Sequence, residues 1–228
     1  MKTIKKVFEE FLKDQQDRLS KKTYAEYVDA MFLFEQYLND YGHQGLKLKE
    51  QEYFEQEFNK GREFNESFET DKINSFHIKG FFADFLIHKV LHGKQIVKST
   101  FRVIRKYLKW AKGKGYLPNE NYKELLETTE KLKDEILQTI KFWDLLQDYV
   151  YLNQPLKCLK IVNGYFWITK IEPGKLWLED YIEGKKVGPV VVNKKITSEC
   201  KLGWVVSLEL CKTAKGWRIL EVWNVYPL

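Results

Sequence analysis

The spacing of apolar residues changes once along this chain, near Pro155, and that change limits it to two kinds of architecture in series. Before Pro155, apolar residues recur every three or four positions, the spacing that lines up one face of an α-helix. After it, short apolar runs are broken by Gly and Pro, as in strands joined by tight turns. The reading is a multidomain α+β chain. Residues 1–117 form an all-α bundle, 118–153 a long connector helix, and 154–228 a small five-stranded β-barrel, SH3-like or OB-like. Five short strands are too few for a two-sheet sandwich, and closure removes exposed edges.

Within the first part, a helix over about 3–17 turns Ile4, Val7, Phe8, Phe11 and Leu12 inward. Ser20 reads as the N-cap of a second helix, to about Tyr41, that buries Tyr24, Tyr27, Val28, Met31, Phe34 and Leu38, with Gly42 ending it as the C′ residue. Residues 49–70 are strongly acidic and partly helical at best. A further helix after Asp71 buries Ile73, Phe76, Ile78, Phe81, Phe82, Phe85 and Leu86. From Asn119 to Leu152 there is no Gly or Pro. Leu125, Thr129, Leu132, Ile136, Thr139, Trp143, Leu146 and Val150 mark one face of a single long helix, which could act as spacer, lid or dimer seam. Strands are expected at 158–171, 175–181, 187–192, 204–211 and 217–226, with a short helical turn within 193–202.

Residues 93–116, GKQIVKSTFRVIRKYLKWAKGKGY, contain no Asp or Glu. Phe101, Ile104, Leu108 and Ala111 form the inward stripe of a helix. Lys98, Arg102, Arg105, Lys109 and Lys112 form a second, wholly basic stripe, which Lys94 extends. Like charges one turn apart repel by a few tenths of a kcal/mol, about 0.2–0.5 per pair. Such a row is readily explained if a polyanion lies against it; the alternative is a solvated lysine-rich face. The formal charge of +6 is mild, but it is segregated: residues 50–72 carry eight acids and three bases. One face attracts and another repels.

The segment LSKKTYAEYVDAMFLFEQYL (19–38), followed by FHIKGFFADFLI and VKSTFRVIRKYLKWAKGKGYL, resembles the core-binding, SAM-like N-terminal domain of phage integrases and other tyrosine recombinases. The matching features are the Leu-Ser entry, the Ser99-Thr100 helix start, the Trp110-Ala111 pair and the Gly115-Tyr116-Leu117 turn. The resemblance covers about residues 3–117. It implies a four- or five-helix bundle lying on duplex DNA, with contacts from Lys21, Lys22 and Thr23 and from the basic helix. The acidic segment departs from the family pattern. So does the remainder of the chain. Recombinase chemistry needs several cations around a phosphoryl transition state and a phenol nucleophile. The histidines here read HQGL, HIKG, HKVL and HGKQ, none of them His-x-x-Arg, and Arg218 is the sole arginine after residue 118. The expectation is a non-catalytic DNA-binding protein.

The C-terminal part offers a second surface. Tyr165, Trp167 and Trp177 stand among more aromatics than a domain of this size can bury, and Lys185 and Lys186 lie close by in sequence. These residues are candidates for contact with nucleic acid or, in the alternative reading, for docking a protein partner. A homodimer is a further possibility. His88 and His92 stand one helical turn apart with Asp84 one turn before, but three groups in line up a helix cannot all reach one ion. No phosphate-loop, dinucleotide or nucleophile-elbow motif occurs. No cofactor, metal or small-molecule substrate is expected. Cys158, Cys200 and Cys211 lie far apart and read as reduced thiols of a cytoplasmic protein. No apolar run is long enough for a membrane span.

Overall fold

The computed structural model describes residues 2–89, 94–155 and 157–227; the side chains of 88, 89 and 94 lie outside the description. The chain divides into two compact units, Met1–Lys133 and Asp134–Leu228. Among the described residues no helix is long and apolar enough to cross a membrane.

The first unit is helical. It comprises α1 (Ile4–Gln16), α2 (Lys21–Tyr41), α3 (Leu48–Phe58), α4 (Phe64–Ser67), α5 (Ser75–Gly80), a π-helical turn (Phe81–Phe85), α6 (Leu86–Lys89), α7 (Lys94–Gly113) and the start of α8 (Asn119–Leu152). Its core is aromatic. Phe8 and Phe11 of α1 meet Tyr107 of α7 edge-on, and Phe34 of α2 meets Phe81. Ser20 caps α2, its hydroxyl accepting the Thr23 N–H at 3.3 Å. All four residues expected on the inward stripe of α7 are buried, together with Val97, Val103 and Tyr107.

Several expectations need correction. Helix α2 does stop at Tyr41, before Gly42, but Gly42 is not a left-handed C′ residue: its φ of −58° is helical, and it opens a 3-10 turn, Gly42–Gly45. What requires glycine there is packing, because a Cβ would sit 3.0 Å from the Phe64 ring. Val28 and Phe76 are exposed rather than inward, at 37% and 45%. The helix containing Phe76 begins only at Ser75, capped by Asn74, and its phase places Phe76 outward between the buried Ile73 and His77. On α8 the buried aromatic is Phe142; Trp143, one position on, is only partly covered.

Within the acidic segment Glu50, Glu57 and Glu66 find cationic partners. Glu57, almost fully buried, meets Lys60 at 2.7 Å and Arg62 at 2.6 Å, and Lys60 holds its carboxyl below the usual range. His77 is fully buried. Its Nδ1 accepts the Asn74 N–H at 3.0 Å, and its Nε2 donates to the Gly42 carbonyl at 2.8 Å. That pattern requires neutral imidazole, and burial lowers its pKa.

The second unit is a five-stranded sheet: β1 (Lys160–Glu172), β2 (Lys175–Asp180), β3 (Lys186–Val191), β4 (Val205–Thr213) and β5 (Gly216–Tyr226), with α9 (Lys194–Glu199) between β3 and β4. The strands close on themselves in the order β1-β2-β3-β5-β4. All pairings are antiparallel except β3 with β5. Phe166, Ile168, Leu176, Leu178, Val190, Val206, Leu208 and Ile219 point inside. Phe142, Leu146 and Val150 from the second half of α8 join this core. The indole N–H of Trp143 donates to the Trp223 carbonyl at 2.7 Å.

The cysteines are not all reduced thiols. Cys158 and Cys211 form a disulfide, and Cys200 is free and buried, its thiol pushed up to about 11 by desolvation. Sequence separation hid the pair. Pairing of Ile161 with Cys211 brings the segment before β1 alongside β4.

Two outcomes follow. Alkylation without reductant in denaturant should label one cysteine, Cys200, with all three labelled after dithiothreitol; three labels without reductant would remove the disulfide. His77 is protonated more easily in the unfolded chain, at the ordinary value near 6.5, than in the folded one. Its contribution is therefore intact above that pH and declines as pH falls below it. Urea midpoints from pH 7.5 to 5 should fall less in His77→Gln, which can still donate and accept, than in the wild type. Equal falls would exclude His77 as a source of the pH dependence.

Candidate nucleic-acid interface

Helix α7 must bury one stripe completely, so its charged side chains are confined to the remaining arc. That arc faces a groove of about 410 Å³ within the helical unit. It is lined by Arg102, Arg105, Lys106 and Lys109 of α7, Tyr27 of α2, and Tyr122 and Leu126 of α8. Four cations thus share one concavity with two phenol rings. Lys112 continues the row and places its ammonium 4.6 Å from the centre of the Tyr122 ring. Lys98 continues it in the other direction and is exposed. From Lys98 to Lys112 the row runs about 21 Å at 1.5 Å per residue. That exceeds the roughly 12 Å width of a B-DNA major groove, so one helix can reach the phosphates on both borders.

The row is not free of acidic partners, although α7 itself has none. Arg102 pairs with Glu26 of α2, and Arg105 with Glu130 of α8. These carboxylates come from neighbouring helices, beyond what the spacing along α7 could reveal. Both pairs are substantially exposed, where an ion pair contributes about 0–1 kcal/mol. A phosphate can therefore replace the carboxylate at little cost. Among the described residues, Lys98, Lys106 and Lys109 have no carboxylate within ion-pairing distance; Lys106 is a groove cation that the helical stripe did not include.

Lys21, Lys22 and Thr23 occupy the first turn of α2, with both lysines exposed. Thr23 stands one turn before Tyr27 on the same face, but of α2 only Tyr27 lines the groove. Burial raises the Tyr27 hydroxyl pKa and keeps it a neutral donor. The last turn of α7 is tied instead to α1. Lys114 meets Asp14 at 2.9 Å, and the Trp110 indole donates to Asp14 at 3.0 Å; Lys114 and Trp110 together hold that carboxyl below its usual range. Lys114 is therefore committed to structure, whereas Lys109 remains available. Lys94 has its side chain outside the described residues, as do His88 and His92. Among the described residues no group of three or more His, Cys, Asp or Glu could hold a metal ion.

The sheet unit presents its candidates on the outer face of β1 and β2. Tyr165 is 44% exposed, and Trp167 stacks on the exposed Tyr181 with ring centres 5.1 Å apart. Trp177 lies against Gly188 of β3, where a Cβ would meet its ring at 3.1 Å, and it carries the Lys170 ammonium 4.6 Å from its ring centre. Lys185 pairs with Glu183 at 2.5 Å, and Lys186 stands opposite Glu179 in register. Acid and base alternate on this face, so it lacks the net charge of the α7 groove. Ile182, 88% exposed at the turn after β2, adds apolar surface that the sequence reading did not single out.

No family model, curated protein or solved structure matches the chain.

Proposed function

We propose that this chain is a non-catalytic DNA-binding protein that holds duplex DNA in the α7 groove, with the sheet unit as a second contact surface. The observation that carries the reading is the convergence of Arg102, Arg105, Lys106 and Lys109 with Tyr27 and Tyr122 in one open groove. Side chains of this kind suit backbone contact more than base readout: lysines act as point charges on phosphates, and the two arginines can exchange a carboxylate for a phosphate. The resemblance to the core-binding domain of tyrosine recombinases supports the same surface, since it implies contact from the start of α2 and from the basic helix, although Ser99 and Thr100, its expected helix start, lie inside α7. We assign no strand cleavage to these residues, because no His-x-x-Arg accompanies them. No cofactor enters the reading.

For the sheet unit we favour the OB-like over the SH3-like form of barrel. The closed order β1-β2-β3-β5-β4, the parallel β3–β5 pairing and a helix between β3 and β4 support it. The competing reading is a module that docks a protein on Tyr165, Trp167, Tyr181 and Ile182, and it is favoured by the mixed charge and exposed isoleucine there. A cytoplasmic location is kept as part of the proposal. In a reducing compartment Cys158 and Cys211 would be adjacent thiols, and the β1–β4 register alone would hold that end of the sheet.

The test is fluorescence anisotropy with a random-sequence duplex across a salt series. Four groove contacts would give a slope of about −3.6 in log K against log salt. Lys106→Glu with Lys109→Glu should weaken binding at low salt by about tenfold or more and flatten the slope, with little change in melting temperature, because neither lysine has a carboxylate partner to lose. Glu26→Gln with Glu130→Gln should tighten binding by releasing Arg102 and Arg105. Unaltered affinity in both variants would overturn the groove assignment, and no duplex binding at low salt would favour the protein-docking reading.

A further inference from the structure

The β4–β5 end of the sheet carries a charge arrangement that neither fold nor core requires. Lys160 of β1 stands directly opposite Lys212 of β4, and Lys212 directly opposite Trp217 of β5. Directly paired residues project to the same face, so two cations and an indole form one row across three strands. The next row inward, Val162, Leu210 and Ile219, packs on or within the core. The charged row therefore begins where the core ends. Lys212 places its ammonium 5.3 Å from the centre of the Trp217 ring. Lys215 lies in the turn joining β4 to β5, Arg218 follows Trp217, and Lys157 precedes Cys158, which the disulfide fixes to β4 beside Lys212.

Like charges placed directly opposite on a sheet are destabilising. Three other lysines of this unit do have carboxylate partners: Lys170 meets Glu172, Lys185 meets Glu183, and Lys141 meets Glu199. Among the described residues Lys157, Lys160, Lys212, Lys215 and Arg218 have no carboxylate within ion-pairing distance. The nearest acids on these strands, Glu209 and Glu221, oppose each other three residues down β4 from Lys212. The sheet thus concentrates positive charge at one end.

We propose that this end of the sheet is a second phosphate-binding site for nucleic acid, with Lys160, Lys212 and Lys215 as its gripping residues and Trp217 as the platform that holds Lys212 in place. The site is separate from the outer aromatic face of β1 and β2. It rests on the reading of the chain as a nucleic-acid binder and specifies where its second contact lies. A phosphate between Lys160 and Lys212 turns their repulsion into a shared attraction, so binding and stability should respond to the same substitutions with opposite sign.

The experiment uses the full chain with Lys160→Gln, Lys212→Gln and Lys215→Gln combined, beside the Lys106→Glu, Lys109→Glu variant. Each is titrated with a labelled duplex and a labelled single strand of random sequence across a salt series, and each is melted without nucleic acid. The lysine-to-glutamine variant should bind at least one of the two probes about tenfold more weakly at low salt. Its salt slope for that probe should be shallower, by about 0.9 per lost contact on duplex or about 0.7 on single strand. Its melting temperature should equal or exceed that of the wild type. Which probe responds identifies the form of nucleic acid held here. Unchanged affinity and slope for both probes would overturn the site while leaving the α7 groove to stand or fall on its own variant. Weakened binding together with a lowered melting temperature would also overturn it, because the lysines would then be structural. If the sheet variant loses binding and the groove variant does not, the α7 reading fails and this site remains.

Discussion

Helix α7 carries no acidic residue on any face and must bury one face entirely. Every charge on it is therefore a cation forced onto the exposed arc, and any balance has to come from another helix. Packing supplies that balance unevenly. Asp14 of α1 takes Lys114 and the Trp110 indole, fixing the end of α7 in the bundle. Glu26 and Glu130 take Arg102 and Arg105 at the exposed rim. The carboxylates needed for assembly sit where α7 ends, and the cations left over collect in the groove between α2, α7 and α8. The groove follows from a helix whose sequence offers it no internal charge pairing.

A comparable rule operates in the sheet, where register takes the place of helical phase. Closing five strands in the order β1-β2-β3-β5-β4 places β1 beside β4 over most of its length. The same register that stacks Val162 on Leu210 and Ile219 carries Lys160 onto Lys212 and Trp217 one step further on. Shifting the strands by one residue would relieve the lysines but would turn every core side chain outward. The apolar rows, each buried leucine or isoleucine contributing roughly 1.5–3 kcal/mol, outweigh a like-charge pair costing about 1 kcal/mol or less. The repulsion is therefore tolerated, and it is located by the core rather than by the lysines.

Much of the fold was legible in periodicity. The long helix, the Ser20 cap, the buried stripe of α7 and five strands near their expected spans all rest on local pattern, which a single sequence displays. The misses share a cause. Phe76 and Val28 satisfy the spacing of an inward face but sit where no element covers them. Gly42 ends α2 as its spacing suggested, yet not through a left-handed conformation: its glycine serves the approach of Phe64 from another helix. The choice of Phe142 over Trp143 depends on a small shift of helical phase that reflects which core it meets. The disulfide needed the β1–β4 pairing, and the partners of Arg102 and Arg105 needed the neighbours of α7. In each case the deciding contact spans many residues.

The two cationic groups differ in how their charge is held, and the difference has consequences for binding. In the groove, Glu26 and Glu130 already occupy the arginines, so an incoming phosphate exchanges one anion for another and the gain is the difference between them. At the sheet end no carboxylate among the described residues pairs with Lys160 or Lys212, and a bound anion would relieve their repulsion. Per cation, the strands have more to gain from a phosphate than the helix does, although the helix has more cations along its row. A long row partly neutralised by its own neighbours suits extended contact along a backbone. A short uncompensated pair, fixed by register, would suit a single point of attachment.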